Sequence, residues 1–196
     1  MADCAVAEAL EATTQVASST SATFDEGVVI NGIRWATRNV DAPGTFAPYP
    51  ESPGMFFQWN RKKGWNETSD FTNWDSSMPE GTEWYKENDP CPEGWRIPTH
   101  AEIESLVNTN SSWTELEGVN GRLFGSGNNI LFLPATGLRE HNCGVLRLDL
   151  VGSQGYYWSS AQQRSQSGVS LVFCNRWVSL FTLWRVNGRS IRCVAK

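Results

Sequence analysis

The sequence predicts an α+β domain with an antiparallel sheet, one or two helices and long loops. A capping box marks one short helix, and a series of short β-type segments follows it. Gly or Asn interrupts nearly every junction between these segments. Strands that follow helices, instead of alternating with them, are typical of α+β domains with antiparallel sheets.

Length and composition indicate one loop-rich domain with an aromatic core. The chain has 196 residues, with 10 Trp and 9 Phe beside 17 Gly and 9 Pro. No stretch reaches the roughly 18 to 20 apolar residues that a membrane span needs, so membrane insertion is not expected. Met1 to Ala22 lacks a basic start followed by an apolar run, so no export signal is recognisable. We expect either a signal removed earlier or another route out of the cell, such as a phage particle.

The formal net charge of −5 is unevenly distributed along the chain. Residues 1–149 hold all 21 acidic side chains and 10 basic ones, whereas residues 150–196 hold 6 basic and no acidic side chains. Such an asymmetry either attracts anionic partners or lets the arginines pair with the acidic part of the same molecule. The basic residues are interspersed with apolar ones, which favours internal pairing and argues against nucleic acid as a partner.

The N-terminal region is expected to precede the folded domain. Asp3 to Gln15 has apolar and small residues at helical spacing, and a Ser/Thr-rich stretch follows, which predicts a short helix and a linker. The helix would serve oligomerisation or docking; the alternative is a disordered tail. From Val28, alternating apolar residues around Asn31-Gly32 predict a β-hairpin. We therefore expect a tail over residues 1–27 and a domain over residues 28–196.

The middle of the chain combines loops with one helix. Ala42 to Asn88 is dense in Pro, Gly, Asn and Trp without sustained periodicity, which predicts long loops pinned by buried aromatic rings. Thr99-His100-Ala101-Glu102 is a capping box, and it predicts a helix from Thr99 to about Asn108. The segments with β-type patterns are Arg122–Gly125, Ile130–Leu138, Val145–Leu150, Tyr156–Ser159, Ser170–Phe173, Trp177–Leu180 and Ser190–Val194.

Five phrases along the chain carry a family resemblance. They are Ile30–Val40 (INGIRWATRNV), Asp89–Thr99 (DPCPEGWRIPT), Leu133–Ala135 (LPA), Tyr157–Ser160 (YWSS) and Ser190–Val194 (SIRCV). In this order they resemble the Fibrobacter succinogenes major paralogous domain, a family of the C-type-lectin-like superfamily. The resemblance covers about Val28 to Val194, and it implies a C-type-lectin-like fold whose first and last strands meet.

The resemblance also implies which residues belong to a fixed scaffold. Cys91 and Cys193 lie within family phrases and would form a disulfide between the start of the helix and the last strand; the alternative is two buried thiols. Of the five cysteines at least one must be free, and Cys4 and Cys174 are the least structural candidates. The other residues assigned to the scaffold are Trp95, Trp158, Arg185, Gly188, Ser190 and Arg192.

Within residues 156–192, the stretch Ala161–Val186 departs from the composition typical of the family. The segment is poor in Asn and rich in large, chemically unlike side chains, and it resembles the variable region of proteins that retroelements diversify. The resemblance implies a binding surface of tolerant side chains on a fixed scaffold. If Leu171 and Phe173 point inward, strand alternation places Val172 and Cys174 outward. The residues expected to contact a ligand are Gln162, Arg164, Val172, Cys174, Arg176, Trp177, Ser179, Phe181, Leu183, Trp184, Val186 and Asn187.

An exposed cluster of aromatic and arginine side chains is typical of a protein-binding hot spot. We therefore expect a non-enzymatic receptor-binding or adhesion protein, without a cofactor, located outside the cell, on its surface or on a phage particle. Its partner would be a protein or a glycan. The alternative for the segment is a hairpin folded into the core. The alternative for the function is a bacterial adhesin or carbohydrate-binding module in which Trp59, Trp65, Trp74 and Trp84 stack on sugars.

The sequence offers little for catalysis or metal binding. His100 belongs to the helix cap, and His141 beside Cys143 is better interpreted as part of a polar turn than as half of a nucleophile pair. No histidine has a partner at zinc-site spacing, and the Glu-Pro-Asn and Gln-Pro-Asp motifs of calcium-dependent lectins are missing. An oxidase of the formylglycine-generating type, which belongs to the same superfamily and needs a reactive cysteine pair, is the remaining enzyme alternative.

Overall fold

The structure is a computed structural model and describes residues 22–67, 73–141, 145–147 and 149–196. The helix expected over Asp3–Gln15 lies outside these residues, as do Cys4 and Cys143. Within them, the chain forms antiparallel sheets and one complete α-helix, in agreement with the α+β class. None of the helices in this part is long and apolar enough to span a membrane.

The described chain contains twelve strands, a helix and a short 3-10 turn. The helix α1 spans His100–Val107, and the 3-10 turn spans Lys86–Asn88. The strands are β1 (Val28–Ile30), β2 (Ile33–Trp35), β3 (Phe56–Phe57), β4 (Gly64–Trp65), β5 (Trp95–Arg96), β6 (Ser111–Leu116), β7 (Val119–Ser126), β8 (Asn129–Pro134), β9 (Gln154–Arg164), β10 (Ser167–Cys174), β11 (Val178–Trp184) and β12 (Val194–Ala195). They form sheets of order β1-β2-β12-β5, β11-β10-β9, β6-β7-β8 and β3-β4.

The first hairpin forms as its sequence predicts. Asn31 and Gly32 have positive φ angles of 52° and 80°, the backbone that a tight two-residue hairpin turn requires. The packed region begins before Val28, the expected boundary, because the buried Asp25 carboxylate accepts hydrogen bonds from Thr37 and Arg38. The last strand, β12, pairs with β2, so the two ends of the domain lie side by side.

The helix α1 begins with the predicted capping box. The Thr99 hydroxyl accepts from the Glu102 backbone N–H at 3.3 Å, and the Glu102 carboxylate accepts from the Thr99 N–H at 2.7 Å. Arg96 donates two further hydrogen bonds to this carboxylate, at 2.8 and 2.6 Å. This guanidinium holds the pKa of Glu102 well below its usual range, at about 2. Ile103 and Leu106 are buried and anchor the helix to the sheets.

Two aromatic clusters form the core. One includes Trp35, Phe124 and Phe173 under α1, and the other includes Trp95 and Trp158. Both of these Trp side chains are buried, as their assignment to the scaffold requires. The buried indole of Trp158 donates to the Phe57 carbonyl at 2.8 Å, which satisfies its only donor.

The disulfide between Cys91 and Cys193 is present, with Cα atoms 6.1 Å apart. It joins the segment that leads into β5 to the residue before β12, and β5 and β12 are themselves paired. Cys193 is buried in the second cluster. The pairing implied by the family resemblance is therefore confirmed.

Some predicted strands are wrong or misplaced. The segment Val145–Leu150 contains no strand among its described residues, and Leu146 makes only an isolated bridge to Arg139. A turn follows this segment, because the backbone N–H groups of Ser153 and Gln154 both donate to the Leu150 carbonyl. The expected strand Ile130–Leu138 ends as β8 at Pro134, and β6 is missing from the predicted strands.

Candidate functional site

The candidate site is built on the sheet β9-β10-β11, in which β10 is central and β11 is an edge. The turn between β10 and β11 closes with a hydrogen bond from the Cys174 N–H to the Trp177 carbonyl, at 3.0 Å. Val178 and Leu180 pack against the cluster under α1. Since side chains alternate along a strand, the opposite face of β11 carries Ser179, Phe181 and Leu183.

Three large aromatic side chains on and beside β11 are exposed. Trp177 is 40% exposed, Phe181 43% and Trp184 50%. The rings of Trp177 and Phe181 touch, with centroids 5.4 Å apart, so they form one apolar patch. Their exposure agrees with the expectation from the sequence, and the alternative of a hairpin folded into the core is wrong for these residues.

A second ring pair lies at the other end of β11, where strand alternation places Trp184 on the face opposite Phe181. The His141 ring lies parallel to Trp184, with centroids 5.5 Å apart and an interplanar angle of 15°. The Trp74 indole donates to the His141 carbonyl at 3.1 Å and so fixes this loop against the sheet. Sequence reasoning assigned neither His141 nor Trp74 to the binding segment, because the contact joins residues distant in the chain. We define the β11 surface by His141, Cys174, Arg176, Trp177, Ser179, Phe181, Leu183 and Trp184.

Buried arginines stacked on tryptophans support the sheet from the face that carries Phe181. The Arg185 guanidinium lies 4.0 Å from the Trp59 ring centroid, and that of Arg189 lies 4.0 Å from the ring centroid of Trp158. Arg189 also donates to the Ser170 hydroxyl at 2.6 Å. Burial lowers the pKa of Arg189 to about 9, so the side chain still carries its charge at neutral pH. Such cation–π contacts are strongest where water is excluded.

The expected pairing of C-terminal arginines with carboxylates is wrong for the described part of the chain. Its ion pairs involve arginines before residue 150 only. Arg192, assigned to the scaffold, is buried and donates to the Asn39 side chain at 3.0 Å and to the Ala36 carbonyl at 3.3 Å. The buried C-terminal arginines therefore contact aromatic rings and oxygens of carbonyl groups instead of carboxylates. Composition alone does not predict these contacts.

Two residues expected on the surface are buried. Val172 is 3% exposed, although strand alternation places it outward. It lies on the central strand β10 and points to the second face of the sheet. Arg189 covers this face, so Val172 does not reach solvent. Val186 is also 3% exposed, because its segment is hydrogen-bonded to the segment around Gln58. Neither side chain can contact a ligand without rearrangement.

The other expected residues differ in exposure, and of these only Cys174 and Arg176 belong to the β11 surface. Arg164 is exposed at the end of β9, and Arg176 is exposed in the turn between β10 and β11. Gln162 is half-buried on β9, and Asn187 is half-buried with a side-chain carbonyl that has no hydrogen-bond partner among the described residues. Cys174 is a half-buried free thiol that accepts from the Arg176 N–H at 3.4 Å.

The central tryptophans are mainly structural. Trp59 and Trp65 are buried, and Trp74 and Trp84 are half-buried. Trp59 packs against Trp84 with ring centroids 5.5 Å apart, and Trp65 against Trp74 at 5.0 Å. Flat sugar stacking needs an open ring face, which Trp59 and Trp65 do not offer.

The described residues contain no group of three or more His, Cys, Asp or Glu side chains that could hold a metal ion. Cys91 and Cys193 are bonded to each other, so neither is a reactive thiol. Comparisons of the chain with family models, curated proteins and solved structures found no match.

Proposed function

We propose that this protein is a receptor-binding or adhesion protein whose ligand covers the β11 surface. In this proposal the fold is C-type-lectin-like, the family is the Fibrobacter succinogenes major paralogous domain, and a retroelement diversifies residues 156–192. The protein acts outside the cell, on a cell surface or on a phage particle, and the surface has no catalytic role.

One observation carries the proposal: three large aromatic side chains stay exposed on a strand whose supporting residues are packed and buried. Trp177, Phe181 and Trp184 are each at least 40% exposed, while Arg185 and Arg189 beneath the sheet are buried. Exposed aromatic groups close to Arg176 have the composition of interface hot spots. A rigid support also reduces the entropy that the surface loses on binding.

The binding test compares alanine variants on cells or glycans that bind the wild-type protein. We expect Trp177→Ala and Phe181→Ala each to weaken binding by about 30-fold, the effect of losing a hot-spot side chain worth about 2 kcal/mol. Tyr49→Ala is the matched control, because Tyr49 is 63% exposed and lies outside the β11 surface. Equal binding by all three variants and the wild type would contradict the proposal.

The diversification part has a separate genomic test. We expect a near-copy of codons 156–192 downstream of the gene, differing mainly at adenines, with a reverse-transcriptase gene beside it. If both are missing, the protein is an undiversified adhesin. Binding to a glycan array that is lost in Trp74→Ala and kept in Trp184→Ala would favour a carbohydrate-binding module instead.

A further inference from the structure

The strand β11 has an unpaired outer edge. Its neighbour β10 covers one side only, and β11 is the last strand of its sheet. Hydrogen bonds from the Cys174 N–H to Trp177 and from the Arg185 N–H to Gln166 mark the hydrogen-bonded pairs at both ends of the ladder. These pairs alternate along antiparallel strands. The backbone N–H and C=O groups of Val178, Leu180 and Thr182 therefore point away from β10, and no described residue bonds to them.

This edge carries none of the features that usually prevent strand addition. Exposed edges are commonly protected by charged residues, Pro, bulges or short length. β11 has seven residues, VSLFTLW, without a charge or a Pro, and its ladder with β10 runs without interruption. In contrast, the edge strand β6 of another sheet carries Glu115, and the edge strand β1 has only three residues. An unprotected apolar edge of this length is typical of a binding site or of an aggregation site.

The outer edge is accessible from both faces of the sheet. Phe181 and Thr182 are neighbours whose side chains point to opposite faces, and both are exposed. An added strand would therefore contact Phe181 and Leu183 with alternate side chains on one face. Apolar residues at every second position of the added strand fit these contacts.

We infer that the outer edge of β11 binds an extended, acidic segment of a partner protein by β-strand addition. This inference rests on the proposed function, because it names the ligand class of the same surface. Backbone hydrogen bonds to Val178, Leu180 and Thr182 provide sequence-independent affinity, and the side chains of the β11 surface provide selectivity. Such a division suits a surface whose side chains vary, because the backbone contacts stay constant.

Charge decides between a foreign segment and a second copy of this chain. Residues 150–196 contain no acidic side chain, and of their basic side chains Arg164 and Arg176 are exposed next to the two hairpin turns, whereas Arg185, Arg189 and Arg192 are buried. Edge-to-edge pairing of two copies would bring the exposed arginines of both hairpins towards one seam, and like charges that approach each other are destabilising. A partner segment with Asp or Glu beside its apolar residues has the complementary charge.

The test selects linear twelve-residue peptides from a displayed library on the full chain and measures their dissociation constants by fluorescence anisotropy. We expect enriched peptides with alternating apolar residues and an excess of Asp and Glu. Thr182→Pro removes one outward N–H without touching the ladder to β10, since Pro is tolerated on the open side of an edge strand. It should weaken peptide binding at least tenfold, about 1.4 kcal/mol. Thr182→Val keeps the N–H and is the matched control.

A second measurement does not depend on the stability of a protein variant. N-methylation of alternate backbone nitrogens in an enriched peptide should abolish binding in one register and leave it unchanged in the other. Equal binding of both methylated series, or of Thr182→Pro and wild type, would overturn the inference, as would a library without enriched peptides. Loss of peptide and cell binding in Phe181→Ala but not in Thr182→Pro would leave the proposed function standing without the edge. No effect of either variant would contradict both.

Discussion

Removal of the disulfide between Cys91 and Cys193 should destabilise the protein strongly. The bond closes a loop with a sequence separation of 102 residues. In the chain-entropy model, opening a loop of this length raises the entropy of the unfolded chain by about 16 cal/mol/K, which is about 4.7 kcal/mol at 25 °C. Domains of this size are stable by only about 5 to 15 kcal/mol, so the bond supplies a large share of the free energy of unfolding.

Urea unfolding, followed by tryptophan fluorescence, measures this loss. We expect the Cys91→Ala/Cys193→Ala double variant and the reduced wild-type protein to unfold at much lower urea than the oxidised wild type. The oxidised form should also have a smaller m-value, because its cross-linked unfolded chain exposes less surface. Cys174→Ala is the matched control, since it removes a free thiol and leaves the loop closed; its effect should stay within about 1 kcal/mol.

Two results would refute this reasoning. The first is the same urea midpoint for the oxidised and reduced wild-type proteins. The second is a thiol titration of the unfolded, unreduced protein in which Cys91 and Cys193 both react, because they are bonded to each other in the structure.

Three further predictions concern the helix cap and the β11 surface. Glu102→Gln should lower the free energy of unfolding at pH 7, because it removes the carboxylate that pairs with Arg96. The loss should be only about 1 to 2 kcal/mol, since the carboxylate is partly exposed and solvent screens the pair. Since the folded pKa of Glu102 is lowered to about 2, this difference should be present above pH 4.5 and vanish as the pH falls towards 2 in urea titrations; a difference independent of pH would contradict the assigned cause. Thr99→Ala removes the hydroxyl acceptor of the cap and should cost about 1 kcal/mol in the same assay, whereas an unchanged midpoint would mean that the cap is not needed. Phe181→Asp should leave the melting temperature within a few degrees of wild type, while Val172→Asp should prevent folding, as judged by circular dichroism; a folded Val172→Asp would show that this position is not sealed.

The features that the sequence predicts correctly depend on local chemistry. The Asn31-Gly32 turn follows from two residues that accept positive φ, and the cap of α1 follows from two side chains within one helical turn. The exposure of Trp177 and Phe181 could also be predicted, because the hairpin has more large apolar side chains than one face of a sheet can bury.

The features that the sequence predicts wrongly depend on contacts between distant segments. Strand alternation predicts that Val172 is exposed, but Arg189 covers that face of β10, where it donates to the Ser170 hydroxyl. The charge asymmetry suggested ion pairs for Arg185 and Arg189, whereas both stack on tryptophans distant in the chain. Pairwise packing of this kind leaves no periodic pattern in a single sequence.

The position of the disulfide has a mechanical consequence. Tension applied to the two ends of the domain reaches Cys193 from one side and crosses directly to Cys91 through the covalent bond. The polypeptide between these two cysteines, including β9, β10 and β11, carries no load and cannot be stretched. Such tension would therefore extend only the segment before Cys91 and the last residues of the chain, while the covalent loop that contains β11 stays closed.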